Sequence, residues 1–466
     1  MAGALFVGGT SSNAGKSWMA TAICASLRRR GIDVAPFKAQ NMSNHSYPCR
    51  GGGEIGRAQV VQAEACGLEP EPAMNPILLK PSNGSSQVVV NGKAWKTLSP
   101  REYYAQAAEL RCHVLRAYQD MASRHEFIVI EGAGSVSELN LRDVDLVNLG
   151  LVTSVGVPWI VVADIERGGV FGSVCGTVGL LTPEERALFR GFAINRFRGD
   201  VAIFEDGVRM LEERTGTRCL GVFPVADGIV LDAEDSLALN VTPAMRPPVH
   251  ARTAIVRFPS LSNGTDFRLL NWAEWITSVP AGDFDFIILP GTKSTASDLG
   301  WLRASGLADW AIAQHAKGAT VIGICGGLQM LGRSIHDPQA IESDVPFAEG
   351  LGLAPCLTVM ASDKTTRVRQ GVTSGGAAFS GYEIHAGRTT WEDVRRPFAR
   401  LDDGELEGIR EDGIVGTYLH GVFEHPAVCA EVFGVRPIDR SKADRFDALA
   451  DWFECHARGW SPLDLD

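Results

Sequence analysis

Two doubly wound α/β domains are predicted for this chain, on three observations. Short apolar runs recur between helical patterns at Ala4–Val7, Val34–Phe37, Phe127–Ile130, Trp159–Ala163 and Phe192–Ile194. Such runs, without polar alternation, are those of parallel strands buried on both faces. The same alternation restarts later, with strands over Thr253–Phe258, Phe286–Leu289 and Ala319–Ile324. Between the two series, periodicity lapses: Asp232, Glu234 and Asp235 are followed by Pro243, Pro247 and Pro248. Domains are therefore expected at 1–230 and 251–466, joined by a linker over 231–250.

Composition sets the outer bounds. A chain of 466 residues is too long for one core, and 45% hydrophobic with 21% charged residues describes a soluble globular protein. The formal charge of −11 comes with no basic block beyond Arg28–Arg30. Those arginines lie in the last turn of a helix stopped by Gly31, where they complement the helix dipole. Nucleic acid is thus not an expected partner. Ten scattered cysteines form no C-x-x-C pair, which speaks against zinc or a disulfide framework and for a reducing cytoplasm. No basic segment precedes the first apolar residues, so no signal peptide is expected. The most apolar window, residues 146–165, is broken by Asn148, Gly150, Gly156 and Pro158, so no membrane span is expected. The oligomeric state is left open, a homodimer being one option.

The first strand runs into Gly8-Gly9-Thr10-Ser11-Ser12-Asn13-Ala14-Gly15-Lys16-Ser17, and a helical pattern leaves it. Strand, glycine-rich turn and helix are the context of a phosphate-binding loop. Backbone N–H groups at the helix start face phosphates, Lys16 reaches the outer ones, and the Ser17 hydroxyl suits Mg²⁺. ATP contacts are therefore expected from Thr10, Ser11, Asn13, Ala14, Gly15, Lys16 and Ser17. The spacing is a variant: five residues separate Gly9 from Gly15, and Thr10 stands where the first glycine usually falls. The loop resembles that of dethiobiotin synthetase and its relatives, which phosphorylate carboxylates.

Ligands of doubly wound sheets bind at the carboxyl ends of strands. Lys38, Gln40, Asn41 and Asn44 follow the second strand and suit a polar, anionic substrate; a solvated loop is the alternative. Glu131 ends the third strand and suits a hard cation near the phosphates, a tight turn with an exposed acid being the alternative; Glu54, expected to open a helix, is either a dipole-favoured acid or a second carboxylate near the metal. Asp164 and Asn195 end two more strands. Residue type alone leaves both a structural and a ligand role open, and Asn195 is counted with the nucleotide set. Ser99-Pro100-Arg101-Glu102 reads as a capping box opening a helix to about His125, and Gln87–Lys93 as a hairpin turned at Asn91-Gly92.

In the second half, Ala319–Leu331 carries a strand into Cys325, two glycines and a helix. This is a nucleophile elbow with cysteine as the nucleophile, and a helix N-terminus favours the thiolate. A base is needed. His420 is expected to end a strand and precedes Gly421, which would set it at the same sheet edge as Cys325; spacing does not exclude His385. The backbone N–H of Gly326, with one from the Gly291 loop, can form an oxyanion hole.

Gly323–Gln329 resembles the nucleophile motif of class I glutamine amidotransferases, in which the cysteine attacks the glutamine side-chain amide and releases ammonia. The resemblance implies Cys325 as nucleophile, His420 as base, Gly291 at the oxyanion hole and Gln329 near bound glutamine. The usual third member, a glutamate two residues after the histidine, is replaced by Val422, and Glu424 lies four residues on. Along its whole length the chain resembles the cobyric acid synthase family. The segments that carry this are Gly9–Ser17, Ala35–Asn44, Gly52–Gln59, Met74–Pro81, Gly381–His385 and Gly387–Thr389. The resemblance implies a P-loop NTPase-like domain followed by a class I glutamine amidotransferase-like domain. It also implies a corrinoid substrate, ATP, Mg²⁺ and glutamine as nitrogen donor. The implied reaction is amidation of the b, d, e and g carboxylates of adenosylcobyrinic acid a,c-diamide; the sister synthases of the a,c-diamide itself share the architecture.

Overall fold

A computed structural model describes residues 2–82, 84–226, 228–229, 248, 251–343, 345–393, 396–438 and 442–464. The expected linker lies almost wholly outside them. The chain divides into two compact units. One comprises Met1–Met42, Gly53–Leu231 and Arg440–Asp466; the other comprises Ser43–Gly52 and Asp232–Asp439.

The first unit is built on six parallel strands, all five expected ones and a sixth at Cys219–Pro224. Their order places Gly3–Gly9 between Phe127–Glu131 and Trp159–Asp164, with Val34–Phe37 and Cys219–Pro224 at the edges. Side chains alternate between two buried faces. Phe6, Ile130 and Val161 pack on one, Leu5, Val7, Val129 and Val162 on the other. A smaller sheet joins Gln40–Met42, Ile77–Ser82, Ser85–Val90 and Lys93–Leu98. Its hairpin turns at Asn91 (φ 48°) and Gly92 (φ 79°), the backbone that Asn-Gly favours. The Ser99–Glu102 capping box is present, but the helix it opens stops at Ala105 and a second runs over Ala107–Arg124.

One boundary needs correction. The chain end does not stay with the second unit: helix Lys442–His456 packs Phe446, Leu449, Ala450 and Phe453 against the face of helix Lys16–Arg29 that carries Met19, Ile23 and Leu27. Trp460 joins the same core. The cause is an apolar face on the terminal helix, reinforced at its rim where Arg29 pairs with Asp451 and Glu454.

The second unit has a central sheet ordered Glu274–Ile276, Thr253–Val256, Phe286–Leu289, Thr320–Ile324, Ile414–Thr417 and Ile409–Glu411. All neighbours are parallel except the last pair. A second sheet, built around the long hairpin Cys356–Thr373 and Ala378–Trp391, has no counterpart in the sequence reading. The helical pattern that the sequence carries around Ser297–Lys317 is two helices, Thr295–Ala304 and Leu307–Ala316, separated by Gly306 at φ 76°.

Phe453 is 1% exposed within the first unit. Phe453→Ala is therefore expected to destabilise the nucleotide-binding half by about 3–5 kcal/mol. Urea unfolding followed by nucleotide-binding and glutamine-hydrolysis signals checks this, with the first lost at lower urea.

Candidate active site

In the first unit the loop after Gly3–Gly9 turns into helix Lys16–Arg29 through Gly15 at φ 99°. A Cβ there would overlap the Asn195 side chain. Asn195 in turn donates from Nδ2 to the carbonyl of Ala14 (3.0 Å), so the strand Phe189–Phe197, one strand removed in the sheet, buttresses the loop. Asn13, also left-handed at φ 59°, completes the turn. Thr10 donates its backbone N–H to Val162 (3.0 Å), tying the loop to the strand Trp159–Asp164. Lys16 folds back over the loop and donates from Nζ to the carbonyls of Ser11 (3.0 Å) and Gly134 (2.8 Å). The ammonium thus lies among oxygens in a buried position, the environment that phosphate oxygens supply.

Glu131, fully buried beside Val7 in the parallel register, is the hub of this site. Its Oε1 accepts from Ser17 Oγ (2.7 Å) and Lys38 Nζ (2.8 Å), and its Oε2 accepts from Gln62 Nε2. Ser17 and Glu131 thus offer adjacent hard oxygens. No cluster of three or more His, Cys, Asp or Glu side chains is present among the described residues. This donor set fits a Mg²⁺ that takes the rest of its shell from phosphate and water.

The polar run after the second strand is not a solvated loop. Lys38 and Asn41 are buried, and Gln40–Met42 forms a strand parallel to Ile77–Leu79. The Gln40 side-chain oxygen accepts from the Tyr103 hydroxyl. Asn44 lies in the Ser43–Gly52 segment that groups with the second unit. Glu54 does not open a helix: it sits on the short strand Glu54–Gly56, buried, with Lys80 Nζ at 2.7 Å. Asp164 is held by Arg196 on Oδ2 (2.9 Å) and accepts the Glu166 N–H of the following loop on Oδ1 (2.8 Å).

In the second unit Cys325 ends the central strand at φ 53° and ψ −108°, with helix Gly326–Leu331 starting at the next residue. Its N–H is fixed by the Thr417 carbonyl (2.8 Å), and the thiol, 6% exposed, lies 3.6 Å from the Ile384 carbonyl. The flanking strands lead to the other groups. After Phe286–Leu289 comes Gly291, where a Cβ would stand 2.7 Å from His420 Cε1. A Cβ on Gly326 would stand 3.3 Å from the Thr292 backbone nitrogen, so both glycines keep this space open. After Ile414–Thr417 comes His420, three residues past the strand end and buried.

The partner that orients His420 is Asp266, which sequence reasoning missed. Asp266 Oδ2 lies 2.7 Å from His420 Nδ1, and Oδ1 accepts the Gly421 N–H (2.9 Å). Glu424, the nearest acid in sequence, instead faces Arg268 at 3.5 Å. Burial pulls the imidazole pKa down, but the Asp266 carboxylate and the Cys325 sulfur together raise it to about 10. The shift favours the protonated imidazole of His420 beside the Cys325 thiol. His385 stacks on Tyr418 with ring centroids 3.9 Å apart and bonds the Gly387 carbonyl through Nδ1 (2.8 Å). Gln329 donates to the Tyr418 hydroxyl (3.3 Å), and Gly387 leaves room for it.

Residues 5–236 match the family model of the CobQ/CobB/MinD/ParA nucleotide binding domain, and residues 252–428 that of the CobB/CobQ-like glutamine amidotransferase domain. Fold, site and these matches define the class: a nucleotide-binding domain fused to a glutamine amidotransferase domain. Relatives align over nearly the entire chain. The cobyric acid synthase of Parabacteroides distasonis is 44% identical over 96% of this chain and 95% of its own. That of Mycolicibacterium vanbaalenii is 44% identical over 99% and 95%, and that of Cereibacter sphaeroides 42% identical over 97% and 97%. The chain belongs to the cobyric acid synthase family.

Asp266→Asn removes the charge behind His420. Glutamine hydrolysis is expected to fall on the order of 10²-fold. The alkaline limb of its pH profile should move down from about 10 toward the ordinary histidine value. The sign for stability follows from the same shift. A folded pKa above the unfolded one gives a contribution complete below about pH 6.5 and lost as pH rises through about 10. Melting temperatures of wild type and variant should therefore converge at alkaline pH.

Proposed function

We propose that the protein uses ATP and glutamine to amidate the b, d, e and g side-chain carboxylates of adenosylcobyrinic acid a,c-diamide, giving adenosylcobyric acid. A carboxylate is a poor electrophile. Transfer of the γ-phosphoryl group to a carboxylate oxygen makes an acyl phosphate, and ammonia then displaces inorganic phosphate. Transferring phosphoryl groups are handled almost wholly by positioning and charge. Thr10, Ser11, Asn13, Ala14 and Gly15 shape the loop that cradles the phosphates, Lys16 neutralises the outer ones, and Asn195 holds the loop from behind. Ser17 and Glu131, with Glu54 as a second carboxylate, would hold Mg²⁺, which supplies electrostatic stabilisation when bound. Lys38, Gln40, Asn41 and Asn44 are assigned to the carboxylate side.

At the second centre, the Cys325 thiolate attacks the δ-carbonyl of glutamine. The C–N bond breaks as His420 gives its proton to the leaving nitrogen, and water, deprotonated by His420, then hydrolyses the γ-glutamyl thioester. Gly326 and the Gly291–Thr292 loop supply N–H donors to the oxyanion, and Gln329 lines the glutamine pocket. A cytoplasmic setting suits such a thiol, and no disulfide joins the described cysteines. Among the described residues no helix is long and apolar enough to cross a membrane.

The observation that carries this reading is the buried Cys325–His420–Asp266 set in a chain that also holds Lys16, Ser17 and Glu131 around a phosphate loop. Cys325→Ala should abolish glutamine-dependent amidation while ammonium salt still supports it. Lys16→Ala should lower amidation from either nitrogen source at least about 10²-fold. Mass spectrometry of the products from the a,c-diamide decides. No mass gain corresponding to amidation with wild-type enzyme, ATP and ammonium sinks the proposal.

A further inference from the structure

Among the described residues of the first unit, three buried amide side chains have hydrogen-bonding atoms unused, as does the half-buried Gln87. Gln59 is 0% exposed and neither its Oε1 nor its Nε2 has a partner; Gln62 Oε1 and Asn41 Nδ2 are in the same condition. Buried polar atoms are almost always satisfied, and each exception costs stability and calls for an explanation.

Their placement supplies one. Gln59 and Gln62 lie three residues apart on helix Arg57–Cys66, hence on one face. Gln62 spends its Nε2 on Glu131, the carboxylate that also holds Ser17 and Lys38. Gly56, just before the helix, leaves room for the other two: a Cβ there would overlap Asn41 Nδ2 and stand 3.2 Å from Gln59 Oε1. The floor is fixed, because Asn75 accepts the Gly56 N–H (3.0 Å) and donates to the Lys38 carbonyl (3.1 Å). Unused donors and acceptors thus gather beside the phosphate loop, on a rigid support.

We propose that Gln59 and Gln62, together with Asn41, form the seat of the carboxylate while it is phosphorylated and amidated. This rests on the function proposed above and extends it to two residues. Neutral amides suit the task for a chemical reason. A second cation would hold the carboxylate tightly and blunt its oxygen as a nucleophile toward phosphorus. Gln59 Nε2 and Asn41 Nδ2 donate N–H to the carboxylate, while Gln62, whose Nε2 is held by Glu131, offers Oε1 to the N–H of the product carboxamide, so a finished side chain can leave and the next can enter.

The test is Gln59→Leu, near-isosteric and apolar, with Gln59→Glu as a second variant that sets a like charge against the carboxylate. Each is assayed on the corrinoid a,c-diamide with ammonium as nitrogen donor, alongside nucleotide affinity and melting temperature. KM for the corrinoid is expected to rise at least about tenfold in Gln59→Leu and further in Gln59→Glu, with nucleotide affinity unchanged. Because the amide has no partner to lose, Gln59→Leu should melt no lower than wild type. An unchanged KM in both variants, or a clearly lower melting temperature for Gln59→Leu, overturns the proposal. Wild type failing on the a,c-diamide would instead count against the function itself, whereas active wild type with unaffected variants removes only this seat.

Discussion

Both reactive groups depend on one backbone constraint, a parallel strand that becomes a helix through a residue at positive φ. Gly15 at 99° stands before Lys16, and Cys325 at 53° stands before Gly326. The turn leaves no room for ordinary side chains around it. The Asn195 amide fills the space over Gly15, while the Leu289 carbonyl closes on Gly327. For Cys325 the conformation is strained, since a non-glycine residue rarely holds it. Its N–H bond to Thr417 and the pairing of its strand on both sides over-determine it. A thiol on such a corner stands clear of its own backbone, and three loops from three adjacent strands can converge on it.

Charge burial is the second theme, and here the chain accepts cost for placement. Lys38 with Glu131 and Lys80 with Glu54 are paired ions with side chains no more than 4% exposed, and His420 with Asp266 is buried more deeply still. Such pairs add little net stability over well-packed apolar residues, because desolvation offsets the attraction. Removing one partner is a different matter, since the other is then stranded. Each pair therefore fixes a geometry that cannot relax. Glu131 is the clearest case: with Ser17, Lys38 and Gln62 on its two oxygens, it links the phosphate loop to two separate segments of the unit.

Much of this was legible because it is local. The phosphate loop, the cysteine elbow, the first five strands and the Asn91-Gly92 turn are each written in a few consecutive residues, where glycine placement and apolar runs carry the physics. Asp266 was not legible for the opposite reason. It lies 154 residues before His420 and enters on a single turn, Gly264–Phe267, behind a left-handed Asn263, so no spacing rule connects the two. The long hairpin Cys356–Trp391 mixes Thr, Arg and Gly through both strands, and its alternation is too broken to announce a sheet. The terminal helix was assigned by sequence order, whereas its apolar face chose its neighbours.

The two centres then differ in how complete they are on their own. Around Cys325 the three reacting groups close on one another: His420 has Asp266, Asp266 has Gly421, and Cys325 acts on His420, while Gln329 Oε1 beside them stays unused. That fits a step in which a proton moves back and forth within a fixed set. Around Glu131 the set stays open, with amide atoms of Asn41, Gln59 and Gln62 unused. A site that must take several similar carboxylates in turn, and let each amide go, gains from leaving those atoms for the substrate. Full satisfaction of the free protein would make every exchange start by breaking a bond. The unused atoms cost some stability, and the paired cores on both faces of the six-stranded sheet are large enough to carry it.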